Sequence, residues 1–333
     1  MIEVDGNIGG GQMLRTALGL SAITQKPFKI INIRGNKGLK TQHLECVNAT
    51  ARLCDAEVEG AALNSKEITF LPHTLNSGRL NVNIATAGSV GLVLQALLIA
   101  GTSSRLRIKI EGGATYGKWA PPIDFLENIL FPHLSNMGYK ISILKNKDGF
   151  YPKGGALVEV QTERAKLSPI TIVEKGRLLN LQGISVASSH LEKARVGERQ
   201  AKSAMKTLFP EFGDSLKIKA LYRDSLCPGT GITLWAVTEN SIIGSDSLGE
   251  RDKRAEQVGR EAAEKLIYEY NNAAVDSFTA DQLMPYMALA GDGKIRTSKI
   301  TGHIKTNAGV IEKFLDVKFE INGNVITCTR NKR

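Results

Sequence analysis

Residues 9–59 read GGGQMLRTALGLSAITQKPFKIINIRGNKGLKTQHLECVNATARLCDAEVE, and this stretch predicts the fold. Three glycines precede an apolar pattern with helical spacing, and the chain then alternates between strand-like and helix-like segments. In order, the stretch predicts a turn, a helix, a strand, a loop, a second helix and a second strand, at residues 9–11, 12–23, 28–34, 35–38, 39–54 and 56–59. This helix–strand–loop–helix–strand order is one supersecondary unit.

The same order of elements recurs twice further along the chain. The second copy starts at a turn over residues 87–89 and continues with helix, strand, helix and strand at 90–100, 106–111, 122–136 and 139–144. The third copy has helix, strand, loop, helix and strand at 280–290, 294–300, 301–303, 306–315 and 317–321. Because a single unit buries only one face of its small sheet, we expect the three units to pack together.

The repeat does not extend over residues 178–272, where the pattern is strand, helix, three strands and a long helix. We therefore predict an α/β (α+β) protein with a large domain formed by residues 1–177 and 273–333, and a small α/β domain inserted at 178–272. The large domain would consist of three units, at about residues 1–83, 84–164, and 165–177 together with 273–333.

Composition narrows the class of protein. The chain has 333 residues with 42% hydrophobic and 23% charged side chains, as expected of a globular protein. It contains neither an apolar run long enough to span a membrane nor a signal-peptide pattern, so we expect a cytoplasmic protein. The four cysteines form no Cys-x-x-Cys pair and are interpreted as reduced core thiols. A formal charge of +10 favours a polyanionic partner such as nucleic acid.

The local motifs leave several interpretations open. The glycine turn before a helix suits an anion, yet it matches neither a P-loop nor a dinucleotide fingerprint. Arg15, one turn later, is either a solvated arginine or a phosphate ligand. Gln95 is the single polar side chain of an apolar helix and needs a partner in the core or on a ligand. His303 lies in the predicted loop before a helix, where it is either structural or a nucleophile toward phosphorus.

Taken together, these motifs resemble the RNA 3'-terminal phosphate cyclase family. The matches run in order along nearly the whole chain and include the inserted region. They are Asp5-Gly6, Gly9 to Arg15, Gly38 to Leu44, Ala87-Gly88-Ser89, Leu94-Gln95, Ala120-Pro121-Pro122, Gly149 to Gly155, Pro228 to Gly231, Leu248-Gly249-Glu250, Ala280 to Leu283, Gly302-His303 and Thr306-Asn307.

The resemblance implies both a fold and an activity. The fold would be three βαβαββ-type units similar to the C-terminal domain of a translation initiation factor, with a small inserted α/β domain. The activity would be ATP-dependent conversion of an RNA 3'-phosphate to a 2',3'-cyclic phosphodiester, through an enzyme–histidine–AMP and an RNA–adenylate, with release of AMP and pyrophosphate. A divalent ion, Mg²⁺ or Mn²⁺, would assist. The partner would be an RNA with a 3'-terminal phosphate and not a membrane, and a dimer is one option for the oligomeric state.

The family's functional residues carry over by position. His303 matches the nucleophile. The positions that contact the adenylate are Gln95, Pro121, Phe278, Asp281 and Gln282, and the positions near the phosphates or the RNA end are Arg15, Gln42 and Lys37. No residue is assigned to the metal.

Some positions depart from the family pattern. Ile8 stands where the family usually has a glutamate near the metal, and Phe278 replaces the usual tyrosine. Lys37 lies in a loop that is normally longer and more basic. Two alternatives therefore stay open beside the cyclase: a non-catalytic cyclase-like scaffold in ribosome assembly, and a general RNA-binding module. The scaffold relatives lack the nucleophilic histidine, whereas this chain has His303 together with the pair Asp281-Gln282.

Overall fold

The computed structural model describes residues 1–213 and 216–331, with the side chains of residues 145 and 146 left out. It is a mixed α/β structure, which confirms the predicted fold class. The strands are β1 (Ile2–Asp5), β2 (Phe28–Ile31), β3 (Glu57–Glu59), β4 (Ile68–Leu71), β5 (Gly78–Ser89), β6 (Leu106–Ala114), β7 (Ile141–Lys147), β8 (Leu157–Thr162), β9 (Ile170–Ile172), β10 (Leu178–Ser188), β11 (Leu216–Arg223), β12 (Thr230–Thr238), β13 (Ile242–Leu248), β14 (Asp292–Arg296), β15 (Val317–Asn322) and β16 (Val325–Arg330).

The helices alternate with these strands. The α-helices are α1 (Gly10–Thr24), α2 (Thr41–Leu53), α3 (Val90–Gly101), α4 (Ile123–Phe125), α5 (Phe131–Asn136), α6 (Val196–Phe212), α7 (Ala255–Asn272), α8 (Ser277–Ala290) and α9 (Gly302–Phe314). A π-helix (Leu126–Leu130) joins α4 to α5, and a 3₁₀ turn (Ser189–Leu191) precedes α6.

Within the described residues the strands form four sheets of four. Three sheets share one topology, with the orders β1-β2-β4-β3, β5-β6-β8-β7 and β9-β14-β16-β15. In each of them the first pair is parallel and the other two pairs are antiparallel. The fourth sheet has the order β11-β10-β12-β13 and a different topology. We propose that the three matching sheets are the three predicted units and that residues 178–272 are the insertion.

Helix α1 lies at the centre of the large core, because it contacts α2, α3 and α9. All residues from Gln12 to Ala22 are buried, including Arg15 and Thr16 on the face that the sequence pattern left polar. The interpretation of Arg15 as a solvated arginine is therefore wrong. A helix that is packed on several sides has no solvent-exposed face, so its polar side chains must form hydrogen bonds inside the protein.

A second hydrophobic core belongs to the fourth sheet and its two helices, α6 and α7. Val258, Ala262 and Leu266 of α7 lie in this core with Tyr270 packed against it, as their four-residue spacing predicts. Arg223 at the end of β11 connects this region to the second matching sheet: it donates to Asp148 at 2.7 Å and lies 3.6 Å from Asp124. Burial raises the pKa of Asp124, and the Arg223 charge opposes that rise.

Several predicted element boundaries need correction, including that of the strand predicted over 294–300, which is β14 and ends at Arg296. Residues 87–89 are not a turn, because Ser89 pairs with Ala114 and β5 continues up to α3. The helix predicted over 122–136 is interrupted by the π-helix, since Pro132 has no N–H to donate to the carbonyl of residue 128. The strand predicted over 28–34 ends at Ile31, where the chain turns through left-handed φ angles at Asn32 and Arg34.

The four cysteines are buried and form no disulfide bonds, in agreement with the prediction of core thiols. Over residues 1–213 and 216–331, no helix combines the length and the apolar character that crossing a membrane requires.

Candidate functional site

A very small polar cavity lies where α1, α3, α8 and α9 meet, with about 10 Å³ of free space, which is roughly the room of one water molecule. It brings together four of the residues predicted from the sequence, Arg15, Gln95, Asp281 and Gln282, which come from three different helices. Its lining consists of Gln12, Arg15, Thr16, Gln95, Ile99, Asp281, Gln282, Pro285, Tyr286 and Asn307. The amide, carboxyl and guanidinium groups that line it are bonded mainly to one another, so a nucleotide would bind at the mouth of this cluster and not inside it.

Asp281 is the centre of a hydrogen-bond network that joins three helices. Its carboxylate accepts from Gln12 Nε2 of α1 and from Asn307 Nδ2 of α9, the latter at 3.2 Å. Asn307 Oδ1 in turn accepts from Thr16 Oγ1 at 2.8 Å, and the Gln282 amide donates to Asp281 Oδ2 at 3.4 Å. These bonds hold α1 and α9 in fixed positions beside α8, so the Asp281 carboxylate is preorganised.

Arg15 and Gln95 form a second buried pair in the same cavity. The Arg15 guanidinium donates through Nε to Gln95 Oε1 at 2.6 Å, which gives the amide the partner that the sequence requires for it. Burial lowers the pKa of Arg15 to about 10, and the nearby Asp281 charge partly opposes this shift. The guanidinium is therefore a cation in a desolvated position, where an additional anion would be strongly attracted.

The glycine turn allows the N-terminus of α1 to approach its neighbours closely. A Cβ at Gly9, whose φ is +97°, would lie 2.7 Å from Thr306 Oγ1 of α9. A Cβ at Gly11 would lie 2.5 Å from His43 Nε2 and 2.9 Å from Arg15 Nη1. The start of a 15-residue helix, with its free amide groups, thus sits next to an imidazole and a guanidinium, which is a favourable position for phosphate.

His43 is a neutral imidazole with a defined tautomer. Its Nδ1 accepts from the backbone N–H of Lys40 at 3.1 Å, so Nε2 carries the proton. Burial, together with the positive charges of Arg15, Arg34 and Lys40, lowers the pKa of His43 to about 3. At neutral pH His43 therefore presents an N–H donor toward Gly11.

His303 lies in the first turn of α9 and not in the loop that the sequence predicts. The helix begins at Gly302, because Thr301 caps it by accepting the N–H of Ile304 at 3.2 Å. The imidazole is exposed. Burial raises the pKa of Asp281, whereas the Gln12 hydrogen bond and the positive charge of His303 oppose the rise. The charge of His303 therefore acts on Asp281, although His303 does not belong to the cavity lining.

Gln42 and Lys37 lie outside the cavity lining. Gln42 Oε1 accepts from the backbone N–H of Ser89 at 3.1 Å, and this bond connects the start of α2 to the start of α3. Lys37 is fully exposed in the loop before α2. Gln42 thus has a structural partner in the protein, and Lys37 is free to contact a ligand in solvent.

Pro121 and Phe278 also lie outside the cavity lining. Pro121 is buried against α3, where its carbonyl oxygen would be 2.7 Å from a Cβ at Gly91. Phe278 is half-buried and packs edge-on against Phe125, with 5.2 Å between the ring centroids. Both residues adjoin helices that line the cavity, since Pro121 contacts α3 and Phe278 belongs to α8.

Several site residues were not assigned a role from the sequence. They are Gln12, Thr16, His43, Tyr286 and Asn307. Gln12, His43 and Asn307 belong to the motifs that carry the family resemblance, so their positions in those motifs were the available signal. Thr16 and Tyr286 have no such signal, because only tertiary packing places them at the cavity.

The described residues do not supply a metal cage: residues 1–213 and 216–331 hold no group of three or more histidine, cysteine, aspartate or glutamate side chains suited to an ion. The Asp281 carboxylate already accepts hydrogen bonds from three side-chain amides. Ile8, at the position of the family glutamate, is 70% exposed and offers no oxygen ligand.

Helix α8, which carries Asp281 and Gln282, begins at a buried carboxylate. Asp276 accepts from Thr279 N at 2.8 Å and from Gly244 N of β13 at 3.0 Å, so it both caps α8 and joins it to the fourth sheet. Burial and the neighbouring charge of Glu269 raise the pKa of Asp276 to about 7.

We expect the stability of the protein to fall as the pH rises from about 4 to about 7. The unfolded chain releases the Asp276 proton near pH 4, whereas the folded protein retains it up to about pH 7, and each pKa unit of difference is worth about 1.4 kcal/mol. Urea unfolding between pH 4.5 and 8 should show this decline, and Asp276→Asn should reduce its slope. An Asn variant with the wild-type slope would contradict the assignment to Asp276.

Comparison with known proteins identifies the family. The sequence model of the RNA 3'-terminal phosphate cyclase family matches residues 7–321. The chain belongs to this family. Proteins named RNA 3'-terminal phosphate cyclase are 44% identical in Pyrococcus furiosus, covering 98% of this chain and 96% of the relative, and 43% identical in Saccharolobus solfataricus, covering 97% of each. A third, from Methanopyrus kandleri, is 42% identical over 97% of this chain and 96% of its own.

Membership confirms the resemblance drawn from the motifs and places the chain in a family of enzymes whose members are named as cyclases. Family relatives match this chain along nearly their whole length, so the cavity, the glycine turn and His303 all lie within the matched residues 7–321. The roles of individual residues are proposals, which follow.

Proposed function

We propose that this protein converts an RNA 3'-terminal phosphate to a 2',3'-cyclic phosphodiester with ATP. The observation that carries the proposal is the exposed His303 in the first turn of α9, whose charge acts on the buried Asp281 carboxylate and whose helix also brings Thr306 against Gly9 of the glycine turn. A general RNA-binding module would need neither an exposed histidine at such a position nor a desolvated guanidinium behind it.

The first step would be attack of a His303 ring nitrogen on the α-phosphorus of ATP. The N–P bond forms while the bond from the α-phosphorus to the bridging oxygen breaks, and pyrophosphate leaves with that electron pair. Asp281 would orient the imidazole and stabilise the positive charge that it acquires. Gln95 and Gln282 would contact the adenylate together with Pro121 and Phe278.

The remaining steps would transfer AMP to the RNA and close the ring. An oxygen of the RNA 3'-phosphate attacks the phosphorus of the histidine-bound AMP, the N–P bond breaks, and the RNA–adenylate forms. The vicinal 2'-OH then attacks the RNA phosphorus, loses its proton, and expels AMP. A phosphate monoester has poor leaving groups, so AMP makes it an electrophile, and the 2'-OH gains from proximity.

Arg15, Gln42 and Lys37 would act on the phosphates of ATP and of the RNA end. The N–H of His43 and the amide groups at the start of α1 supply further donors in the same place. A divalent ion would be bound mainly through phosphate oxygens and water, as Mg²⁺ commonly is, since the described residues provide no cluster of ligands for it.

The distribution of charge fits an RNA substrate on the large part of the chain. Residues 178–272 carry 13 lysine and arginine residues and 13 aspartate and glutamate residues, so the formal charge of +10 belongs entirely to residues 1–177 and 273–333. The proposed catalytic residues all lie in that basic part. A polyanion should therefore be attracted to this part of the chain, which also contains the cavity.

We expect the protein to become labelled when it is incubated with ATP that carries ³²P at the α-phosphate and a divalent ion. The label should survive a denaturing gel and be lost in acid, as a phosphoramidate requires. A 3'-phosphorylated oligonucleotide added afterwards should remove the label and become resistant to phosphatase. No label with either Mg²⁺ or Mn²⁺, combined with tight RNA binding, would instead favour the non-catalytic scaffold.

A further inference from the structure

Trp119 is the most exposed large hydrophobic side chain in the described part of the protein, with 92% of its surface accessible. Its backbone has a φ of +61°, a left-handed conformation that bulky residues rarely adopt. Exposing an indole costs hydration free energy, and the backbone conformation adds strain. Neither feature contributes to the packing of the protein, so both suggest a ligand for the ring.

The loop that carries Trp119 is held at several points. Its two ends are joined by the Ile123 N–H, which donates to the Thr115 carbonyl at 3.2 Å. Lys118 forms an ion pair with Glu250, and Pro121 is buried against Gly91 of α3. The ring therefore projects from a fixed base, and little conformational entropy would be lost when it binds a ligand.

A second exposed aromatic side chain projects from the adjoining loop. Tyr116 and Phe150 pair as an isolated bridge, and their buried rings stack at 5.8 Å. Tyr151 follows Phe150 and is 78% exposed, with the exposed Lys153 two residues further on. Two exposed aromatic residues, Trp119 and Tyr151, thus project from two loops that a β-bridge joins. Lys118 directly precedes Trp119, and Lys153 follows two residues after Tyr151.

These loops border the candidate site. Gly91, which contacts Pro121, lies one helical turn before Gln95 on the same face of α3. Gly154 packs against the backbone of Thr86 and Ala87, close to Ser89, the partner of Gln42. The loops that carry the exposed rings therefore pack against the segments that hold the proposed adenylate contacts and the proposed phosphate contacts.

We propose that Trp119, together with Tyr151 of the adjoining loop, stacks on unpaired bases just upstream of the RNA 3' end. The proposal rests on the function proposed above. Aromatic rings next to cationic side chains are the usual means of holding single-stranded nucleic acid without reading its sequence. The terminal phosphate would bind at the cavity, and the preceding bases would leave it across Trp119. A double-stranded end would not fit, because its bases are already stacked on each other.

Tryptophan fluorescence tests this directly, because the other tryptophan, Trp235, is buried. A single-stranded, 3'-phosphorylated pentanucleotide should quench the emission of Trp119 and protect it from acrylamide. Trp119→Ala should weaken pentanucleotide binding, measured by anisotropy, by roughly 5- to 100-fold, and Trp119→Phe should recover most of the affinity. The matched control Phe209→Ala removes another exposed ring, 54% accessible, on α6 and should bind like wild type.

Substrate length distinguishes stacking from a structural role. A nucleoside 3'-phosphate has no upstream base, so Trp119→Ala and wild type should bind it equally. Equal binding of the pentanucleotide by wild type and Trp119→Ala would overturn the stacking proposal, and so would an equal loss for both ligands. Because these are binding measurements, a failure of the proposed cyclase chemistry would appear separately, as wild-type protein that binds RNA and takes no label from ATP.

Discussion

His303→Ala should abolish the covalent labelling of the protein by ATP while leaving its fold intact. Without the ring nitrogen no N–P bond can form, and we expect labelling to fall by a factor on the order of 10³ or more, which is below detection on a gel. The exposed side chain carries little packing, and alanine is the best helix former at the start of α9. The free energy of unfolding should therefore change by no more than about 0.5 kcal/mol.

The control for this variant is His190→Ala, which removes an exposed imidazole far from the cavity-lining helices, in the 3₁₀ turn before α6. It should label like wild type. Supplying a 3'-preadenylylated RNA adds a second test, because the last step does not use the histidine nucleophile. His303→Ala should still cyclise that substrate. Full labelling of His303→Ala by ATP would place the nucleophile elsewhere, with His43 the first residue to examine.

The fold could be predicted from the sequence where local pattern and tertiary structure agree. Helices α1 and α3, which are rich in apolar residues, lie within two residues of their predicted bounds. Strands β1, β4, β5, β8, β9 and β16 are not predicted from the sequence. Strands β1, β4 and β9 have only three or four residues and little pattern of their own, whereas β5 does carry the alternation of buried Leu80, Val82 and Ile84. The π-helix after α4 depends on how Pro132 is accommodated, which the sequence does not specify.

The candidate site could be predicted less completely, and Arg15 shows why. Its position on a polar helical face allowed exposure as well as burial, and only the packing of α2, α3 and α9 around α1 decides between them. The family motifs brought Gln95, Asp281 and Gln282 into consideration, and the structure places all three in one cavity. No sequence pattern shows that Asn307 and Thr16 complete the network, since residues 291 positions apart become neighbours only on folding.

Arg15→Met should remove nucleotide labelling without weakening the fold. Burial lowers the pKa of Arg15 to about 10, and a shift of this size corresponds to on the order of 3 kcal/mol of unfavourable desolvation at about 1.4 kcal/mol per unit. Methionine fills a similar volume without that cost. The substitution also removes the positive charge, so the triphosphate would have no buried cation to contact. We expect labelling to fall by about 10²- to 10³-fold, as for the loss of one preorganised donor.

Stability measurements on three variants separate the binding role of Arg15 from a structural one. Arg15→Met alone removes the desolvation cost of the guanidinium but leaves Gln95 Oε1 without its donor. We expect these two effects on the free energy of unfolding to cancel within about 1 kcal/mol. Arg15→Met with Gln95→Leu replaces the whole buried pair by apolar groups and should be more stable than wild type by about 1–3 kcal/mol. The exposed control Arg177→Met, which loses an ion pair with Glu239, should label like wild type.

A large loss of stability in both the single and the double variant would mean that Arg15 serves the core rather than a ligand. We expect the opposite result: the double variant should have a higher free energy of unfolding than wild type and should no longer react with ATP. A buried cation that lowers the free energy of unfolding is explained if the binding of a ligand offsets that loss. The group that can do so is an anion bound between the glycine turn, His43 and Arg15.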